Sequence, residues 1–196
     1  MYLFKLLCEI ALKSLGWKID TTNPPLKRCI IIAAPHTSNW DFLMMFLFAG
    51  AFGLKINWMA KSSIFKEPFG FILRKMGGIP VDRRQKNELV QDMVALFQSD
   101  YMVRLVVPVE GTRAYAQYWK SGFYHIAKEA NVPILPTFLD YSEKRGGFGT
   151  AVNITGDLKA DMQSLRDFYA PYKGKFPALS GPIRLREEKD LNFERK

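Results

Sequence analysis

The run Arg28-Cys-Ile-Ile-Ile-Ala-Ala34 constrains this chain more than any other stretch. It is short, continuous and rich in β-branched side chains, with no alternating polar positions. That is the pattern of a strand covered on both faces. Such strands belong to sheets sandwiched between helices, so the run predicts an α/β architecture. Pro35 ends it, and the next residue is His36, one of only two histidines among 196 residues. A histidine there would stand at the C-terminal edge of a sheet, where open α/β folds place their ligands.

The rest of the chain alternates in the same way. Residues 38–51 read as a helix, 56–60 as a second strand, and 78–82 as a third strand ending at charges. Residues 85–98 form an amphipathic helix pattern with Leu89, Met93, Leu96 and Phe97 on one side. A buried strand at 102–109, a helix at 122–130, strands at 132–139 and 151–154 and a helix at 161–169 complete the pass. The predicted fold is a single α/β domain with a mixed, largely buried β-sheet flanked by helices. The charged tail from residue 184 reads as solvated.

An amphipathic helix is expected at the N-terminus, dividing the chain into a helical segment at 1–20 and the main domain at 21–196. Lys5, Glu9 and Lys13 recur at steps of four and share one helical stripe, leaving a broad apolar face. The charges and the lack of a small-residue cleavage site argue against a signal peptide, and the length argues against a membrane span. Two roles stay open: packing on the core, or lying in a lipid headgroup layer, which Trp17 and Lys18 would suit.

Composition narrows the partners. A formal charge of +9 points to something anionic, whether nucleic acid, a phosphorylated metabolite or an acidic lipid surface. The aromatic and basic residues are not organised as any known nucleic-acid-reading motif, so nucleic acid is not expected. Cys8 and Cys29 lie in apolar surroundings without metal-ligand spacing and read as reduced packing residues. No zinc pattern, Walker loop or GxGxxG occurs, so neither a metal nor a nucleotide cofactor is expected.

Chemistry concentrates in a few places. Asp41, five residues after His36, can reach the imidazole if the histidine sits in the loop and the aspartate in the first helical turn. It would accept the Nδ1 proton and leave Nε2 free to take a proton from an alcohol. Ser38 and Asp41 also fit a capping box, and both roles can coexist. Glu110-Gly-Thr-Arg113 follows a buried strand and offers a carboxylate, a flexible glycine, a hydroxyl and a guanidinium suited to phosphate. Read alone, it is also a tight turn closed by a Glu110–Arg113 pair. Arg83 stands at another strand end, within residues 55–86, which carry eight basic side chains against two acidic ones.

Four ordered blocks, His36-Thr-Ser-Asn-Trp-Asp41, Gly78-Ile-Pro-Val-Asp-Arg83, Glu110-Gly-Thr-Arg113 and Val132-Pro-Ile-Leu-Pro136, resemble those of the glycerolipid acyltransferase family that includes the 1-acylglycerol-3-phosphate acyltransferases. The resemblance covers residues 26–137. It implies transfer of a fatty acyl group from acyl-CoA or acyl carrier protein to a hydroxyl of a lysophospholipid-type acceptor in phospholipid biosynthesis, on the cytoplasmic face of an anionic membrane. By the same resemblance His36 is the general base and Asp41 its orienting partner, while Arg83, Glu110, Gly111, Thr112 and Arg113 bind the acceptor. The fourth block relates to donor binding or core packing. One departure is Val107-Pro-Val before Glu110, where the family commonly has Phe-Pro. Two alternatives remain beside this reading: a lipid ester or thioester hydrolase using Ser38 or Ser121, though no GxSxG elbow is present, and a non-catalytic basic module for membranes or nucleic acid.

Overall fold

The structure is a computed structural model and describes residues 2–20, 26–82 and 86–188. Six helices and seven strands alternate along the described residues: α1 Tyr2–Ser14, β1 Lys18–Ile19, β2 Cys29–Ala33, α2 Trp40–Ala51, β3 Asn57–Lys61, α3 Phe69–Lys75, β4 Gly78–Val81, α4 Lys86–Ser99, β5 Arg104–Val107, α5 Gly122–Ala130, β6 Ile134–Asp140, β7 Arg145–Phe148 and α6 Leu158–Tyr169. The strands form one sheet in the order β1-β7-β6-β2-β5-β3-β4. All neighbours pair in parallel except β6 and β7. The fold is therefore the expected α/β domain with a mixed sheet.

The isoleucine run explains itself once β2 is seen at the centre. Ile30 and Ile32 point into a cluster with Met93, Phe97, Phe123, Ile126 and Met162, which α4, α5 and α6 supply. Cys29 and Ile31 point the other way, toward Ala49 of α2 and Trp58 of β3. With period-two alternation sending successive side chains to opposite faces, both faces of β2 are buried and no polar position is tolerated.

Helix α1 lies across α2, burying Cys8 and Leu12 against Met44, Phe48, Ala51 and Phe52. Gly50 permits this approach, because a Cβ there would collide with the Cys8 sulfur and the Phe4 ring. The rest of α1 is open: Leu3, Phe4, Leu7 and Ile10 are all more than half exposed. Among the described residues no helix is long and apolar enough to cross a membrane.

Three elements depart from the sequence reading. The last strand is β7, an antiparallel partner of β6, while Val152 makes only an isolated bridge to Ile134. A Gly146-Gly147 pair hides β7 from any propensity argument, yet glycine is needed there, since a Cβ on Gly146 would stand 2.6 Å from the Phe48 ring. Strand β1 is only two residues long, and α3 carries an outward apolar face with no buried side period; both escape a pattern search.

The C-terminal edge of the central strands is fastened by a side chain. The fully buried Tyr169 hydroxyl accepts from the Thr137 backbone N–H (3.1 Å) and lies within donating distance of the carbonyls of Thr137 (2.9 Å) and Ile32 (3.1 Å). It thus joins α6 to β2 and β6 directly beneath the loop that carries His36. Tyr169→Phe removes this hydroxyl from a dry site, where the Ile32 carbonyl keeps only the Thr137 hydroxyl (2.8 Å) as a side-chain donor, so a loss of about 1–3 kcal/mol is expected in denaturant unfolding. A midpoint unchanged from the parent would show that the hydroxyl is not the fastener.

Candidate active site

Three adjacent strands deliver the site. His36 follows β2, Glu110 follows β5 on one side, and Tyr141 follows β6 on the other. All three strands run parallel, so their ends converge at one edge of the sheet.

Asp41 organises this edge. Its Oδ2 accepts from the backbone N–H groups of Thr37 and Ser38, both at 3.0 Å, and lies 3.1 Å from His36 Nδ1. Its Oδ1 accepts from the Tyr141 hydroxyl at 2.6 Å. The carboxylate is buried, while the His36 side chain keeps 19% of its exposure. In the tautomer that carries its proton on Nδ1, the imidazole donates to this carboxylate and presents Nε2 as an acceptor on the far edge of the ring. The N-cap of α2 is Asn39 rather than the expected Ser38, whose hydroxyl accepts from Trp40 N–H at 3.1 Å, so the turn that starts the helix also carries the bonds that orient the imidazole.

Glu110 lies beneath the histidine loop. It is 6% exposed, and its Oε1 accepts from the His36 backbone N–H at 3.1 Å. Its Oε2 is buried with no hydrogen-bond partner, and burial pushes the carboxyl above its ordinary pKa. No ion pair links it to Arg113 among the described residues, so the self-paired turn does not form. The turn is made instead by Gly111 in the left-handed region at φ +68°. Thr112 and Arg113 are exposed beyond it. Arg83 lies outside the described residues.

An apolar cavity of about 150 Å³ opens beside His36 and Asp41 and runs under α2. Phe42, Met45, Phe48, Phe52, Trp58 and Phe148 supply much of its wall. Helix α2 thus packs side chains into the core and also lines this cavity. Among the described residues no group of three or more His, Cys, Asp or Glu side chains gathers in a way that could hold a metal ion.

Tyr141 is the site residue that the sequence reading missed. Nothing local signals it: it lies 100 residues from Asp41. Its ring packs edge-on against Trp17 at 5.0 Å, which connects the end of α1 to the dyad. Burial and the neighbouring Asp41 carboxylate push its hydroxyl well above the usual tyrosine range, so it remains a donor.

A His36–Asp41 pair at the edge of a mixed sheet, opening on an apolar cavity, sets an imidazole beside space for an apolar chain. The family model "Acyltransferase" matches residues 18–140, more than half of the chain, and the chain belongs to that family. The fold is similar to the crystal structure of the 1-acyl-sn-glycerophosphate (LPA) acyltransferase PlsC from Thermotoga maritima, with a TM-score of 0.62 at 18% identity over 87% of this chain and 78% of that one. No curated protein matches the chain.

Tyr141→Phe removes the donor to Asp41 Oδ1 while keeping the ring against Trp17. A hydrogen bond to a buried charged group is worth roughly 1.5–3 kcal/mol, so unfolding should shift by about that amount. Unfolding by denaturant measures it, and a shift below about 0.5 kcal/mol would mean that water replaces the hydroxyl.

Proposed function

We propose that this acyltransferase moves a fatty acyl group from a thioester, acyl-CoA or acyl carrier protein, to the hydroxyl of a lysophospholipid-type acceptor, with His36 as the general base. The observation that carries the reading is the His36–Asp41 pair at the mouth of the apolar cavity. The fatty chain lies in the cavity, which brings the thioester carbonyl beside the imidazole. Nε2 takes the proton of the acceptor hydroxyl as its oxygen bonds to the carbonyl carbon. Collapse of the tetrahedral adduct breaks the carbon–sulfur bond, and the imidazolium returns its proton to the departing thiolate. Asp41 stabilises the imidazolium between these steps without becoming protonated.

Glu110 also holds the His36 backbone, and with Gly111, Thr112, Arg113 and Arg83 it makes up the proposed acceptor-binding set. Arg113 projects from the exposed end of its turn, within reach of a phosphate arriving from solvent.

The membrane-facing side is built from α1 and α3. Leu3, Phe4 and Leu7 on one helix, with Phe69, Phe71 and Ile72 on the other, expose their side chains beside Lys13, Arg74 and Lys75. Apolar side chains that insert and cations that meet lipid phosphates suit the interface of an anionic bilayer. The protein is peripheral there, and its acceptor and product partition into the same layer.

His36→Ala should lower acyl transfer from acyl-CoA to 1-acylglycerol 3-phosphate by roughly 10²–10⁴-fold while the protein stays folded. Mass spectrometry of the lipid product reads this, and a folded variant with parental turnover would remove the base from the mechanism. Leu3→Glu combined with Leu7→Glu should abolish sedimentation with vesicles containing phosphatidylserine. Undiminished binding would move the contact surface elsewhere.

A further inference from the structure

The segment 173–176 lies beyond the stretch matched by the family model, yet it touches the histidine loop on both sides of His36. The Phe176 N–H donates to Thr37 Oγ1 at 3.2 Å, and the Lys173 carbonyl accepts from the Tyr141 N–H at 3.0 Å. Gly174 is packed so closely that a Cβ would stand 2.7 Å from Thr37 Oγ1 and 3.2 Å from the Pro35 Cβ. Between these anchors, Lys175 places its Nζ 4.9 Å from the ring centre of Trp40, the residue preceding Asp41, and 5.9 Å from that of Phe176.

Lys175 is half-buried and forms no ion pair among the described residues. An ammonium resting on an aromatic face keeps its three donors for another ligand, and the ring contact itself is worth little at a partly exposed site. A cation held without a carboxylate, on a segment packed against the loop that carries His36, is matched to an anion that arrives with the substrate. Arg113, by contrast, projects from its own exposed turn with no anchor described.

We propose that Lys175 is a specificity-determining residue that receives a phosphate group of a substrate bound at His36 and Asp41. The proposal rests on the acyl-transfer reading for the identity of the substrates. Two sources carry the same chemistry: the phosphomonoester of the acceptor and the nucleotide phosphates of coenzyme A. Gly174 and the Thr37–Phe176 bond hold the lysine in register with the base.

The test is equilibrium binding of 1-acylglycerol 3-phosphate, of coenzyme A and of phosphate-free 1-monoacylglycerol to the full chain and to Lys175→Met and Lys175→Arg. One lost charged hydrogen bond should weaken a phosphate ligand about tenfold in Lys175→Met, with recovery in Lys175→Arg. Weakening of the lysophosphatidate alone assigns the acceptor, and weakening of coenzyme A alone assigns the donor. Either outcome supports the proposal provided 1-monoacylglycerol binds the variant as it binds the parent. Equal binding of both phosphate ligands to parent and Lys175→Met, or equal weakening of the phosphate-free ligand, overturns it. A parent that binds these ligands but transfers no acyl group would instead overturn the proposed reaction and leave the phosphate contact standing.

Discussion

The Asp41 carboxylate is the interaction on which the rest of the site depends. Its two oxygens gather four donors: the imidazole, two successive backbone N–H groups and a tyrosine hydroxyl. The two backbone bonds shape the turn between β2 and α2, and the other two fix the ring of His36 and the strand end of β6. A buried carboxylate is tolerable only when its lone pairs are satisfied, so the same bonds that orient the imidazole also offset the cost of placing a charge there. Orientation and solvation are one arrangement here.

That arrangement needs a rigid floor. Parallel pairing brings the ends of β5, β2 and β6 level, Tyr169 ties two of them together, and Glu110 holds the His36 backbone from the β5 side. Glu110 is an unusual floor element because one of its oxygens is left unpartnered and burial raises its pKa. Burial disfavours the charged form of this carboxyl, and the hydrogen bond from the His36 backbone N–H opposes that shift in part.

The apolar side of the molecule has a different logic. Helix α2 is hydrophobic all round because it faces three environments: the sheet, helix α1 and the cavity beside the dyad. The outward faces of α1 and α3 present further apolar side chains to solvent, with Lys13, Arg74 and Lys75 in the last turns of the two helices.

Much of this was legible in the chain itself. A β-branched run with no polar positions can only be a doubly covered strand, and side-chain period and capping chemistry act within a few residues. Thus β2, the Ser38 and Asp41 turn and the four family blocks are local facts. Tertiary structure alone decided that Glu110 points inward beneath His36, that Tyr141 closes on Asp41 from 100 residues away and that Phe176 reaches Thr37 across 139. It also decided that Gly146-Gly147 is a strand, because the Phe48 ring leaves room for no side chain there. The division follows range: hydrogen bonds and hydrophobic periods between near neighbours are written in sequence order, whereas contacts between strand ends exist only after the sheet has brought them together.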